Sequence, residues 1–409
     1  MRLARPGAAA LLAVSLFATA GCAPKRAVER TPVAFWTSRS EASLAGSVRA
    51  FEDANPSLRV VLRTLPASEL PDSVEAALTA GRAPDLCEVG MEDLGPWLER
   101  GVLTDWSAGV ADLRPAMRGW ESCMVGDAIY AMPWTLRAPV LLYDRELLAR
   151  AQCDSTQAPD SWDAFRTAAG RVSRLRGGVR GFGIAAGTPA EYARAWLAWA
   201  PGAGGELVSS GLDSSRVASA ANADALAFLQ SLVPYSLVAA QDSLEREFVR
   251  GRLGLVLADP SLALTARAAG RNVGVAGLPS RGSDSLEFGP YASGEALVSF
   301  SASRRKEDAL RLARSLVDPA SLEAQAAAEP DLLPARVGAD TLAAFRGRAD
   351  AVAALRMLAT ARTRPRMRDW ARVEAHLGGA VEQVLAGRAT PERALASADT
   401  FVTTHLGER

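Results

Sequence analysis

Two short apolar strands joined through one amphipathic helix, with little chain to spare at either joint, restrict the architecture of this sequence more than any other feature. Val33-Ala34-Phe35-Trp36 reads as a strand, and Thr37 to Ser40 is a polar turn whose serines can cap a helix. Leu44, Val48 and Phe51 follow at helical spacing until Asn55-Pro56 stops them, and Leu58 to Leu65 is the second strand. Strands connected in this way lie parallel, with the helix packed on the sheet. The unit then repeats. Val74, Ala77 and Leu78 lie on a helix closed by Gly81, and Ala83 to Gly90 is a strand running into a loop. The expected fold class is α/β.

Tyr130 to Ala149 breaks the repeat. A strand interrupted by Pro133 is followed by a second strand from Pro139 to Tyr143, and Asp144 caps a helix carrying Leu147 and Leu148. Proline fits poorly in a central strand, so the chain should bend or change partners near Pro133 and Pro139. A crossing between two lobes would have this form, with Trp134, Arg137 and Tyr143 on or beside it.

At the N-terminus, Arg2 and Arg5 precede an apolar run from Ala8 to Ala18 and then Thr19-Ala20-Gly21-Cys22. The run is too short to span a bilayer and has the order of an export signal. The small residues before Cys22 resemble a bacterial lipobox, which implies cleavage before Cys22, a diacylglycerol on its thiol and a tether over 22–32. Removal of residues 1–21 leaves 44 basic against 46 acidic residues, a balance that attracts neither nucleic acid nor an acidic membrane surface. Cys87, Cys123 and Cys153 contain no CxxC pair, so zinc and thioredoxin-type chemistry have no support. Free, mostly buried thiols are expected over a disulfide.

These segments together resemble the extracellular solute-binding proteins of ABC importers, in the branch related to maltose-binding protein. The crossover marker is Gly126, Tyr130 and Pro133 leading to Leu141-Leu142-Tyr143-Asp144. Earlier markers are Phe35-Trp36, Phe51 to Pro56, Gly81-Arg82-Ala83-Pro84-Asp85, and Trp97-Leu98 with Gly101 and Leu103, which departs at Trp106. Later ones are Pro159-Asp160-Ser161-Trp162, with Trp162 as core, Trp196 to Gly205, Phe248 to Gly254, and Leu333-Pro334-Ala335-Arg336. The resemblance implies a two-lobed periplasmic-binding-protein fold of type II. Its lobes would be 33–136 plus 291–345 and 137–290 plus 346–409, with crossings near 136–140, 287–293 and 343–350.

Catalytic signatures are absent. His376 and His405, the two histidines, fall in C-terminal helical segments, and no GxSxG, HExxH or P-loop occurs. A Glu92–Asp93 pair acting on a glycoside is a poor second to binding, because neighbours in sequence do not thereby face one bond. Sugars call for aromatic faces beside Arg, Asp, Glu or Asn, and nine Trp fit that need. Ligands of open parallel sheets sit beyond the strands' carboxyl ends, here 36–40, 90–93, 134–137, 259–261 and 291–293. By the family's motifs, Trp36, Ser38, Arg39, Glu92, Asp93, Trp134, Arg137 and Trp370 are expected at the cleft, with Tyr192 more of a packing residue. Arg137 and the alternating Arg364, Arg366 and Arg368 raise an anionic solute as the alternative, with a polyamine or a metal chelate as the other non-sugar solutes.

The function so implied is a monomeric lipoprotein of the cell envelope, facing the periplasm or the exterior. It would pass a carbohydrate, expected to be an oligosaccharide, to the transmembrane subunits of an ABC permease. It would use no cofactor or metal and perform no catalysis. An exported enzyme on the same scaffold is the reading from another class, since fold does not fix function.

Overall fold

The computed structural model describes residues 30–209, 213–281, 289–363 and 370–407. Its strands are β1 (Thr31–Thr37), β2 (Leu58–Thr64), β3 (Leu86–Gly90), β4 (Met124–Val125), β5 (Ala128–Ile129), β6 (Met132–Arg137), β7 (Val140–Asp144), β8 (Arg180–Ala185), β9 (Ser236–Ala239), β10 (Leu253–Ala258), β11 (Val273–Ala276), β12 (Tyr291–Val298) and β13 (Arg362–Thr363).

Two mixed sheets, each covered by helices, make two α/β lobes. In the first, β13, β12, β3, β1 and β2 lie side by side and β6 also pairs with β12. In the second the order is β11, β7, β10, β8, β9. β1 pairs in parallel with β2 and β3, as the strand–helix–strand spacing requires. Val33, Phe35 and Thr37 are buried while Pro32 is exposed, so alternate positions of β1 enter the core. Helix starts follow local chemistry. Ser40 caps Glu41–Ala54, Ser161 caps Trp162–Val172, and Thr188 with Glu191 forms a capping box on Pro189–Leu197.

The crossing falls where the prolines lie. β6 belongs to the first sheet and β7 to the second, with Ala138 and Pro139 between them. The ladder of β6 with β12 slips between Glu295 and Ala296. Glu295 faces Thr135 while Ala296 faces Pro133, so Trp134 is the bulged residue beside a proline that cannot donate to the ladder. β12 returns the chain to the first sheet, antiparallel to β3. The helix Ala349–Thr360 packs on β6, β7 and β11, touching strands of both sheets. β13 follows it and pairs with β12, so the span 346–409 contributes one strand to the first sheet.

Cys87 and Cys123 are buried free thiols and Cys153 is a half-buried one. Among the described residues no helix is long and apolar enough to cross a membrane, and no group of His, Cys, Asp and Glu is arranged to hold a metal ion. The export segment and Cys22 lie outside the described residues, as do Arg364, Arg366 and Arg368.

Candidate functional site

The turn after β1 carries the first element of the site. Glu88, a carboxylate in the otherwise apolar β3, is buried and accepts from Thr37 Oγ1 at 2.5 Å, Ser38 N at 2.7 Å and Ser38 Oγ at 3.0 Å. These bonds fix the turn and direct Arg39 across the ends of β3, β12 and β6. Its guanidinium meets Glu329 at 2.6 Å, Glu295 at 3.4 Å and Glu88 at 3.7 Å. Burial acts to lower the Arg39 pKa, but the carboxylates of Glu88, Glu295 and Glu329 together hold it above its usual range. Glu295 also takes Thr135 Oγ1 and Arg137 Nη2, so two arginines share one acidic frame.

Around Arg137 two cavities open between the lobes. One, of about 490 Å³, is lined by Arg39, Thr135 and Arg137, by Glu329 and Asp331 of the first lobe, and by Asp259 and Ser261 at the end of β10. The other, of about 460 Å³, lies between the crossings at Arg137 to Pro139 and Pro290 to Ser293 and the second-lobe residues Glu191, Arg194, Asp242 and Glu245. Arg137 and Asp259 line both, which makes them one cleft. Tyr291 is the aromatic on its wall. Its hydroxyl accepts from Leu207 N at 3.0 Å, tying β12 to the second lobe.

Asp259 accepts from Ser261 N at 3.0 Å and Ser261 Oγ at 2.8 Å. Asp331 faces it from the other lobe. Burial, Asp259 and Asp350 push the Asp331 carboxyl above its usual range against the pull of Arg348.

Of the residues expected at the cleft, Arg39 and Arg137 line it, and Ser38 supports it through Glu88. Trp134 does not. Its side chain is 0 % exposed, donates from Nε1 to Gln325 Oε1 at 3.0 Å and has Phe35 beside it, with the Arg39 guanidinium 5.4 Å from its ring. The reason is strand parity. Trp134 and Arg137 are three residues apart, so if Arg137 and Thr135 face the cleft, Trp134 and Leu136 point into the core.

Trp36 is half-buried under Arg63, 4.2 Å from its ring, and Trp370 is buried at the start of the helix Trp370–Leu385. Neither is among the residues lining the cavities. Glu92 and Asp93 form an exposed turn after β3, also off the lining, where partial burial and then Glu92 push the Asp93 carboxyl up to about 6. Tyr192 is half-buried and off the lining as well. Eight of the nine tryptophans are buried, so the tryptophan bias reflects core packing and not sugar platforms.

Sequence reasoning missed Glu88, Glu295, Glu329 and Asp331. A carboxylate inside Leu86-Cys87-Glu88-Val89 was the available signal, because a charge within an apolar strand requires partners.

Comparison with known proteins agrees with this architecture. The sugar-binding protein MalE of Xanthomonas citri superposes with a TM-score of 0.81 at 23% identity, over 93% of this chain and 98% of that one. The cyclic alpha-maltosyl-1,6-maltose binding protein of Arthrobacter globiformis gives 0.82 at 18% identity, over 93% and 100%. These likenesses establish the two-lobed fold. An uncharacterized lipoprotein of Streptomyces antibioticus is 28% identical over 213 residues, 49% of this chain and 46% of that protein. The sequence model for bacterial extracellular solute-binding proteins matches residues 47–372, and the chain belongs to that family.

Proposed function

We propose that this protein is the substrate-binding lipoprotein of an ABC importer, capturing a carbohydrate in the interlobe cleft and delivering it unchanged to a membrane permease. The observation that carries this reading is the position of Arg137 and Asp259. One lies on the crossing strand and the other on the second lobe, and both border the same two cavities. A solute held there touches both lobes only when they approach, and that differential contact is what drives closure. The carbohydrate class is supported by the sugar and maltosyl ligands named for the two superposed proteins, and by a wall of carboxylates, guanidinium groups, Ser261 and Ser293 suited to hydroxyls. Arg39 and Arg137 are already matched by Glu295 and Glu329, which weighs against the anionic alternative.

Anchoring through Cys22 is supported by the sequence Thr19-Ala20-Gly21-Cys22 and by the lipoprotein relative. The decisive test is a thermal-shift screen of the domain starting after Cys22 against mono- and oligosaccharides, sugar phosphates, amino acids and polyamines. A solute that binds only the folded form raises the melting temperature. A response to a sugar series that is lost in Arg137→Ala supports the reading. Silence to sugars with a response to sugar phosphates overturns it. For the anchor, full-length Cys22→Ser should leave the membrane fraction, and retention there would refute lipidation.

A further inference from the structure

The charges that line the interlobe cleft bear on which carbohydrate enters it, an inference that rests on the cleft being a carbohydrate site. Three arginines line the two cavities, and each already meets a carboxylate. Arg39 pairs with Glu329, Arg137 with Glu295, and Arg194 lies 4.0 Å from Glu374. The acids are matched less closely, since Arg348 draws on Asp331 but is ion-paired with Asp350. Asp242, Glu245, Asp259 and Asp331 line the same space, and no described cation forms an ion pair with any of them.

Two of these carboxylates come from opposite lobes. Asp259 ends β10 in the second, and Asp331 lies on the loop after the helix Pro319–Ala328 in the first. Asp259 commits Oδ1 to Ser261, and its Oδ2 accepts from no described group. Asp331 lines the same cavity as Ser261 and is repelled by Asp259. Bringing the lobes together with nothing between them therefore presses two negative charges toward each other. A neutral sugar hydroxyl would separate them. A cationic group would also remove the repulsion and gain a charge-assisted bond from each lobe.

Aromatic stacking offers little competition for recognition, because Tyr291 is the one aromatic among the described residues lining the two cavities and it is only 9 % exposed. We infer that the solute is a carbohydrate carrying a protonated amine, held between Asp259 and Asp331.

The test compares matched pairs at pH 7 by thermal shift and calorimetry on the domain starting after Cys22: glucose with glucosamine, galactose with galactosamine, cellobiose with its diamino counterpart, and spermidine alone. The aminated member of at least one pair should bind more tightly than its neutral isostere. The preference should shrink with added salt and fall by about ten- to a hundredfold in Asp259→Asn and Asp331→Asn. Asparagine retains the oxygen that accepts from Ser261, so the Asp259 variant removes charge without removing the turn. Neutral sugars that bind equally well, with affinity unchanged in both variants, overturn the inference and leave the carbohydrate reading standing. A response to spermidine and to no sugar overturns the carbohydrate reading while upholding the charge. Silence throughout counts against both.

Discussion

Replacing Trp134 separates a core tryptophan from a ligand platform, and the structure gives the size of the effect. In Trp134→Phe the Gln325 Oε1 acceptor loses its donor at 3.0 Å. Gln325 cannot turn away to find another, because its Nε2 is held by Leu316 O at 2.9 Å and Ser47 Oγ at 3.2 Å. A buried acceptor left in this way costs about 1–3 kcal/mol. The smaller ring opens space beside Phe35, on the order of 1 kcal/mol more. The expected total is about 2–4 kcal/mol, which moves the melting temperature by roughly 2–5 °C in a protein of this size. Urea unfolding followed by circular dichroism measures the loss, and a solute titration well below the transition measures binding, which should change little. A Trp134→Phe protein with unaltered unfolding midpoint and abolished binding would refute the assignment of Trp134 to the core.

Four further outcomes concern the site, its supports and positions away from it. Arg39→Met takes its cation from Glu329, while Glu295 keeps Arg137 and Thr135 and Glu88 keeps its three hydrogen bonds, so stability should drop by about 1–3 kcal/mol, together with loss of the solute response; a stable variant that still binds would contradict the frame. Asp93 has its carboxyl raised from 3.8 to about 6, so the folded state holds this proton more tightly and stability should fall as pH rises through that window. In Asp93→Asn that fall should flatten, and melting curves that stay parallel to wild type from pH 4 to 7 would dismiss it. A Cβ on Gly294 would lie 2.2 Å from Thr135 O, so Gly294→Ala should part β6 from β12, costing about 1–3 kcal/mol and displacing Glu295. Gly379→Ala, with nothing within 4 Å in the interior of Trp370–Leu385, should instead be neutral or gain up to about 1 kcal/mol, as paired thermal melts would report.

The fold was legible because its signals are local. Apolar runs, caps such as Ser40 and Ser161, and the prolines at 133 and 139 act within a few residues, and the structure places elements where they point. The site was legible only in part. Arg39 and Arg137 were found through the loops that carry them, whereas Glu329 reaches Arg39 from 290 residues away in sequence, a distance no periodicity encodes. The tryptophans misled for a physical reason. A ring that suits a sugar face suits a core equally, and strand parity, which the bulge at Trp134 helps set, decides between the two.

The placement of β12 also dictates an order of assembly. All five strands of the second sheet come from one uninterrupted reach of chain between Val140 and Ala276. In the first sheet, β3 and β6 receive their shared neighbour only when Tyr291–Val298 has been made, after the whole second sheet. Until then both strands present unpaired apolar edges, and closing so long a loop is slow. The later lobe in sequence is thus the earlier one to mature, and the N-terminal lobe is the part most in need of protection from aggregation. Pulse-labelled hydrogen exchange during refolding would show this as amides of β8 and β10 protected before those of β3, and the reverse order would exclude it.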